Sequence, residues 1–373
     1  MSIKIIHTAD NHIGISYNNL QNAKDTCLNE RLEAIKRIVL AGNENSCHFL
    51  VVAGDLFDKT VVSIANIKKV IDILKDFNGE VIIIPGNHDY FEDEANTLWS
   101  KFKDNSRNYN NIVVLTNSIK HVLEANDLKV NFYPAPCRSK HSSENAIGWI
   151  KNEVINKNEI NIGIAHGNVY GLGRDEKNNY FNMTRDELKA ADIDFWLLGH
   201  IHVTYPTYEH ITENPNLFMS GTHMPDSWKS NGKGNAWIIE VDKDKNVNAR
   251  RFVPSLFEYV SIEKDINSNN DITELTNTVN SLDKKHTALS LNIKGRLSQA
   301  DSDNLTTLLG DFRNNFLYYE EVKDIQRLID HTLINDTYPN ASIPNVLLTE
   351  LLNDGDTLAV QKVFETLQIL NKS

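Results

Sequence analysis

The sequence predicts an α/β protein built on a mostly parallel sheet with helices on both faces, followed by a smaller α+β unit. Three observations predict it. Strand-like and helix-like segments alternate through the first half of the chain, the strand-like runs are continuously apolar, and a fresh alternation begins after Pro254. In order, KIIHTAD is a strand and NERLEAIKRIVLAG an amphipathic helix with Leu32, Ile35 and Ile38 at helical spacing. FLVVAGD is a short buried strand, IANIKKVIDILKDF a helix and EVIIIPGNHD a strand. NIGIAHG and FWLLGHIH are strands that end in turns, and TRDELKAADI between them is a helix opened by a capping box. GNAWIIEVDKDKNVNARRFV is a hairpin with its turn at Asp242 to Asn246. Beyond Pro254, FEYVSIEKDI, ITELTNTVNSLDKK, TALSLNIKG, DSDNLTTLLGDFRNNF and LYYEEVKDI repeat a β-α-β-α-β order without polar clusters at the strand ends. The expected divisions are therefore 1–254, 255–325 and a C-terminal helical segment 326–373, entered through YPNASIP.

Composition narrows the function. The 373 residues suffice for a large core, and 40% hydrophobic with 24% charged content is ordinary for a globular protein. No apolar stretch approaches the roughly 18 residues of a membrane span, and no signal-peptide pattern opens the chain, so a cytoplasmic location is expected. Cys27, Cys47 and Cys137 are scattered and fit neither a disulfide framework nor a metal knuckle. The net charge of −12 argues against free-standing nucleic-acid binding, because phosphate neutralisation carries much of such affinity.

Five points share one pattern, an apolar run followed by a turn and metal-ligand side chains: Asp10-Asn11-His12, Gly54-Asp55, Gly86-Asn87-His88-Asp89, His166-Gly167 and Gly199-His200-Ile201-His202. A lone Asp after a strand is usually a turn former, and a lone strand-end His is usually structural. In series the five are better explained together, since the carboxyl ends of strands in an open α/β sheet line one edge. Asp10, His12, Asp55, Asn87, His166, His200 and His202 would then meet in one crevice. On an extended chain residues i and i+2 share a side, so Asp10 and His12 are expected to grip one cation together, with Asn11 turned away. Mixed carboxylate and imidazole ligands suit Mn, Fe or Zn better than Mg or Ca. A carboxylate such as Asp55 can bridge two cations about 3.5–4 Å apart, which lower the pKa of a shared water and clamp a phosphoryl oxygen. His88 is placed to protonate a leaving oxygen, and the Asp58 carboxylate is expected to orient its ring.

D-x-H, G-D, G-N-H-D, H-G and G-H-x-H in this order resemble the calcineurin-like metallophosphoesterases over about residues 1–225. The resemblance implies a four-layer β-sandwich core flanked by helices. It implies that Asp10, His12, Asp55 and His202 hold one metal, that Asp55, Asn87, His166 and His200 hold the other, and that His88 is the catalytic histidine outside the ligand set. More finely, HTADNHIG and VVAGDLFD are similar to the opening motifs of SbcD-type DNA repair nucleases, and the second unit resembles their capping domain. That implies two divalent ions, most simply Mn2+, exonuclease action on DNA ends with endonuclease action on single strands or hairpins, a homodimer, and a coiled-coil ATPase partner of the SbcC type. Ile13 stands where that opening motif usually has Leu. Asp58 matches bacterial members rather than the His of archaeal and eukaryotic ones.

Basic loop residues are candidate phosphate contacts: Arg138, Lys140, Arg174, Lys177, Lys229 and Lys233. His223 in SGTHMPDSWKSNGKG is a further candidate substrate contact, and Tyr17 is a candidate wall of the crevice. Two apolar stripes, Leu347, Leu348, Leu351, Leu352 and then Val360, Val363, Phe364, Leu367, either pack on the chain's own body or dock a partner. Two rival functions stand beside a DNA nuclease. The same ligands serve a small phosphodiester, a nucleotide or a phosphoprotein. A non-catalytic scaffold of a DNA-end complex is disfavoured, because no ligand position is lost.

Overall fold

The computed structural model describes residues 1–173, 179–207, 215–230 and 232–370. The chain divides into two compact units, Met1–Tyr259 and Val260–Ser373, so residues 326–373 fall inside the second unit.

The first unit runs β1 (Ser2–Thr8), α1 (Lys24–Glu44), β2 (Phe49–Ala53), α2 (Ile64–Leu74), β3 (Glu80–Ile84), α3 (Leu98–Ser106), β4 (Ile112–Val114), β5 (His121–Ala125), β6 (Leu128–Ala135), β7 (Ile160–His166), α4 (Arg185–Ala190), β8 (Phe195–Gly199), β9 (Leu217–Met219), β10 (Ala236–Asp242) and β11 (Val247–Phe252). These strands build two sheets, ordered β11-β10-β1-β2-β3-β4 and β5-β6-β7-β8-β9. β1 to β4 are parallel, as are β6 to β9, while β10, β11 and β5 join antiparallel.

Strand periodicity explains how the sheets stack. Ile3, Ile5, Phe49, Val51, Ile82 and Ile84 of the first sheet meet Phe132, Ile162, Ile164, Phe195, Leu197 and Phe218 of the second in one core. The alternate residues Ile6, Leu50, Val52, Val81 and Ile83 face Ile35, Ile38, Ile67, Val70, Leu74 and Phe102 on α1, α2 and α3. The outer face of the second sheet, with Tyr133, Trp196 and Leu198, is covered by Ile147, Ile150 and Leu188. Each such aliphatic side chain contributes about 1.5–3 kcal/mol by leaving water. The order is helix, sheet, sheet, helix, the four-layer arrangement that the family resemblance implies, and it corrects only the periodicity reading of helices on both faces of one sheet. An all-apolar strand such as FLVVA reads the same whether its second face meets a helix or another sheet.

Local signals set the element ends. Ser63 caps α2 by accepting from the Asn66 amide at 3.2 Å, and Thr184 with Glu187 forms a capping box on α4. Asp242 accepts from the Asp244 and Asn246 amides at 2.8 and 2.9 Å, closing the β10–β11 turn where the sequence predicts it.

The second unit holds β12 (Glu258–Asp265) from Val260 onward, α5 (Asn269–Asn280), β13 (Thr287–Leu297), α6 (Gln299–Asn315), β14 (Tyr318–Arg327), α7 (His331–Thr337), α8 (Ile343–Asn353) and α9 (Thr357–Leu370). Its sheet is ordered β12-β13-β14, and α5 and α6 pack Leu275, Val279, Leu305 and Leu309 against Leu289, Leu291 and Ile293. In α7 to α9, Leu333, Ile334, Leu348 and Val360 form a small core with Leu351, Leu352, Val363, Phe364 and Leu367 packed against it, while Leu347 stays exposed. Among the described residues no helix is long and apolar enough to cross a membrane.

Candidate metal centre

Five strand ends meet where the two sheets share an edge. Beyond β1, Asp10 and His12 are held by backbone bonds from the Asp10 amide to the Gly54 carbonyl (3.1 Å) and from the His12 amide to the Asp55 carbonyl (2.9 Å). Beyond β3, the His88 amide donates to Asp55 Oδ1 at 2.7 Å. From the second sheet, His166 Nε2 lies 3.0 Å from Asn87 Oδ1 and 3.2 Å from Asp55 Oδ2. His200 Nδ1 lies 2.9 Å from Asn87 Oδ1, and the His200 amide donates to both oxygens of Asp10. His202 Nε2 stands 3.2 Å from His12 Nε2 and 3.9 Å from Asp10 Oδ1. The structure thus brings together all seven expected ligands. Close approach needs two glycines: a Cβ at Gly54, whose φ is +86°, would lie 2.3 Å from His166 Nδ1, and one at Gly86 would lie 2.2 Å from Asp55 Oδ1.

The donor set fits divalent cations. Asp10, His12 and His202, then His12, Asp55 and His88, then Asp10, Asp55 and His166 each offer ligand atoms within 4.8 Å of one another. His166 Nδ1 donates to the Ala53 carbonyl (2.9 Å) and His202 Nδ1 to Asp226 Oδ2 (2.7 Å), so once Nε2 gives up its proton, its lone pair faces the cluster. Two ring nitrogens 3.2 Å apart and two buried carboxylates are groups that a shared cation satisfies.

The calcineurin-like phosphoesterase model matches residues 3–204, more than half of the chain. The chain belongs to the calcineurin-like phosphoesterase family. The family works with divalent metals, and the clustered His and Asp side chains offer them ligands. The chain is 25% identical over 403 aligned positions to the SbcD component of the nuclease SbcCD of Staphylococcus saprophyticus, covering 98% of each chain. It is 22% identical to the uncharacterised metallophosphoesterase YhaO of Bacillus subtilis, covering 74% of this chain and 64% of that one. Among solved structures, the calcineurin-like phosphoesterase YfkN of B. subtilis aligns over 68% of this chain and 90% of that one, at 14% identity and TM-score 0.38.

The electrostatics of this phosphoesterase site follow from burial against pairing. Burial alone would push His166 down, but the Asp55 carboxylate lifts it to about 9. Burial likewise opposes, and the Asp226 and Asp10 carboxylates overcome, in raising His202 to about 9. Asp55 lies well below the usual carboxylate range: burial would raise it, and His166 and His12 outweigh that. His200 is pushed down to about 3 by burial and by the neighbouring His166 charge. Burial, reinforced by Asp55, raises Asp89 to about 7.

Several expectations need correcting. Asp10 and His12 are not on an extended strand: β1 stops at Thr8, and the two residues take φ of +52° and +44°, left-handed values that Asp and His tolerate. Their side chains converge because the turn directs them. Asp58 meets His88 through its backbone carbonyl, 3.0 Å from Nδ1, while its carboxylate stands 3.4 Å from His12 Nδ1. His223 is fully buried with Nε2 donating to the Arg31 carbonyl at 2.9 Å, so it is a structural residue and not a substrate contact. Tyr17 is also buried, and its hydroxyl accepts from Arg31 Nε. Arg138 donates to the Thr116 carbonyl and Asn117 Oδ1 and covers the Phe91 ring; Lys233 pairs with Glu258 at 3.5 Å. Lys140 is exposed, Lys229 lines a cavity with His202, and Arg174 and Lys177 lie outside the described residues.

Three supporting residues escape sequence reasoning. Asp226 fixes His202. Arg31, buried on α1, donates to the Asn11 and Met224 carbonyls at 2.6 and 3.1 Å and so ties the first ligand loop to the loop carrying Asp226. Asp89 accepts from the Phe57 and Gly86 amides at 3.0 and 2.7 Å, locking the loops of Asp55 and Asn87 together. Lone polar residues in loops carry no periodicity, and the only signal was that Asp89 completes G-N-H-D.

Proposed function

We propose that this phosphoesterase is a DNA phosphodiesterase that processes DNA ends with two divalent ions, most simply Mn2+. The observation that carries the reading is the convergence of Asp10, His12, Asp55, Asn87, His166, His200 and His202 on one point, in a chain whose SbcD relative matches it nearly end to end. Asp10, His12, Asp55 and His202 would hold one ion, and Asp55, Asn87, His166 and His200 the other. Bound there, the ions supply an activated water and offset charge on the phosphoryl oxygens. The chain's own residues do the rest. Ala53 and Asp226 set the tautomers of His166 and His202. His88, oriented by the Asp58 carbonyl, keeps Nε2 for proton exchange and delivers a proton from it to the departing sugar oxygen.

By the same kinship we place the protein in the cytoplasm as a homodimer with an SbcC-type ATPase, with residues 255–325 as capping domain and the helices of 326–373, which expose Val346, Leu347 and Leu358, as docking element. His88→Gln and Asp55→Asn should each lower Mn-dependent cleavage of hairpin or duplex-end DNA by about 100-fold or more, with unchanged circular dichroism. Wild-type rates in either variant would sink the mechanism. Turnover of a chromogenic phosphodiester by the wild type without DNA cleavage would favour a small-substrate enzyme.

A further inference from the structure

A cavity of about 450 Å3 opens beside His202, between the loop after β8 and the loop that precedes β10. Its wall carries Thr204, Thr207, Ser227, Lys229, Ser230 and Arg251. Arg251, on β11, is held in place by its Nε donating to Asn235 Oδ1 at 3.0 Å. Among the described residues nothing accepts from its two terminal amino groups, and Lys229 forms no ion pair. Among the described residues the one carboxylate in the wall, Asp226, is already engaged: Oδ2 takes His202 Nδ1 at 2.7 Å and Oδ1 takes the Ser230 hydroxyl at 3.1 Å. The cavity therefore presents two cations and several hydroxyls to whatever enters it. Among the described residues Val203 and Pro225 are the apolar side chains of the lining, and no aromatic ring stands there for a base to stack on.

We propose that this cavity is a subsite for a backbone phosphate of the substrate strand, next to the phosphate held at the metal cluster. The inference rests on the nuclease reading above and adds where the strand runs. A guanidinium fork and an ammonium are matched to phosphate oxygens rather than to base edges, so the subsite positions without reading sequence. On a chain of net charge −12 a local cationic pair is needed to attract an anionic strand past its surroundings. A free phosphate offers the same chemistry, and the test separates the two.

Full-length wild type, Lys229→Ala, Arg251→Gln and the double variant are compared in Mn2+, with thermal melting as the check on folding. Three probes are used: a single-stranded oligonucleotide, a chromogenic diester with one phosphate, and inorganic phosphate as inhibitor. In the double variant KM for the oligonucleotide should rise about fivefold or more with kcat changing less than about twofold. It should rise more than KM for the one-phosphate diester, and the logarithmic salt dependence should flatten by about 0.7 for each strand phosphate released. Arg251→Lys should recover part of the loss. An unchanged oligonucleotide KM overturns the subsite alone, as does a shift confined to inhibition by inorganic phosphate, which marks a free-phosphate site. A wild type that turns over the diester but leaves the oligonucleotide intact overturns the nuclease reading, and the subsite with it.

Discussion

His7 lies on β1 between the two sheets, fully buried, and neither ring nitrogen has a hydrogen-bond partner in the structure. Burial pushes its imidazole from 6.5 down to about 4, against a weaker upward pull from the backbone of Val51, Leu198 and Phe218. The folded state therefore prefers the neutral ring. Its contribution to stability is complete above pH 6.5 and is lost as pH falls towards 4, where the folded protein must also take up the proton. The difference amounts to about 3 kcal/mol. His7→Leu should flatten the stability profile between pH 6.5 and 4 relative to wild type, measured by urea unfolding; an identical slope would contradict this account. Asp226 acts on a different histidine. Removing it frees His202 Nδ1, and Asp226→Ala should weaken Mn2+ binding by about 10–100-fold in a metal titration.

At the scale of elements, the site depends on loops locked to one another more than on the strands behind them. The Asp89 carboxylate holds the amides of Phe57 and Gly86, and its carbonyl takes the Trp99 indole of α3. Asp89→Ala would leave two buried amides without acceptors, a loss of about 2 kcal/mol or more by thermal or urea unfolding. The larger effect should fall on activity, because Asp55 and Asn87 sit on the two loops that Asp89 joins. A variant of wild-type stability and rate would show that the strand ends alone suffice. Arg31, on α1, does the equivalent work for the loops of Asp10 and Asp226.

For the whole molecule, metal binding and folding are linked. The two sheets share an apolar core that needs no ion, so the metal-free chain should be folded. The proposed ligands come from both sheets, so ions bound there would clamp one sheet to the other. At a Mn2+ concentration about 100 times the dissociation constant, the gain is about 2.7 kcal/mol. Melting in Mn2+ should exceed melting in EDTA by a few degrees, roughly what that energy implies for a domain of this size. Asp55→Asn, which removes the carboxylate proposed to be shared by both ligand sets, should abolish most of the increment. Equal melting of wild type in the two conditions would contradict the clamp.

Much of the site was legible in the primary structure because its parts repeat one local rule. A strand that ends in Asp-x-His, Gly-Asp or Gly-His-x-His announces itself wherever it lies, and the order of five such ends carries the family resemblance. Hydrophobic periodicity likewise determined β1, β2, β3, β7, β8, α1, α2 and the β10–β11 hairpin, since each depends on neighbours in the chain, whereas α3, β4, β5, β6 and β9 were not read from it. What covered the second face of each strand was decided by tertiary structure, because Phe49, Val51 and Ala53 are equally apolar against a helix or a sheet. The same holds for the roles of Asp58, Asp226, Arg31 and His223. Whether Asp58 offers its carbonyl or its carboxylate to His88, and whether His223 meets solvent or the Arg31 carbonyl, depends on residues far away in sequence. Local patterns set which groups are available to bind a metal, and only long-range packing sets which atoms face each other.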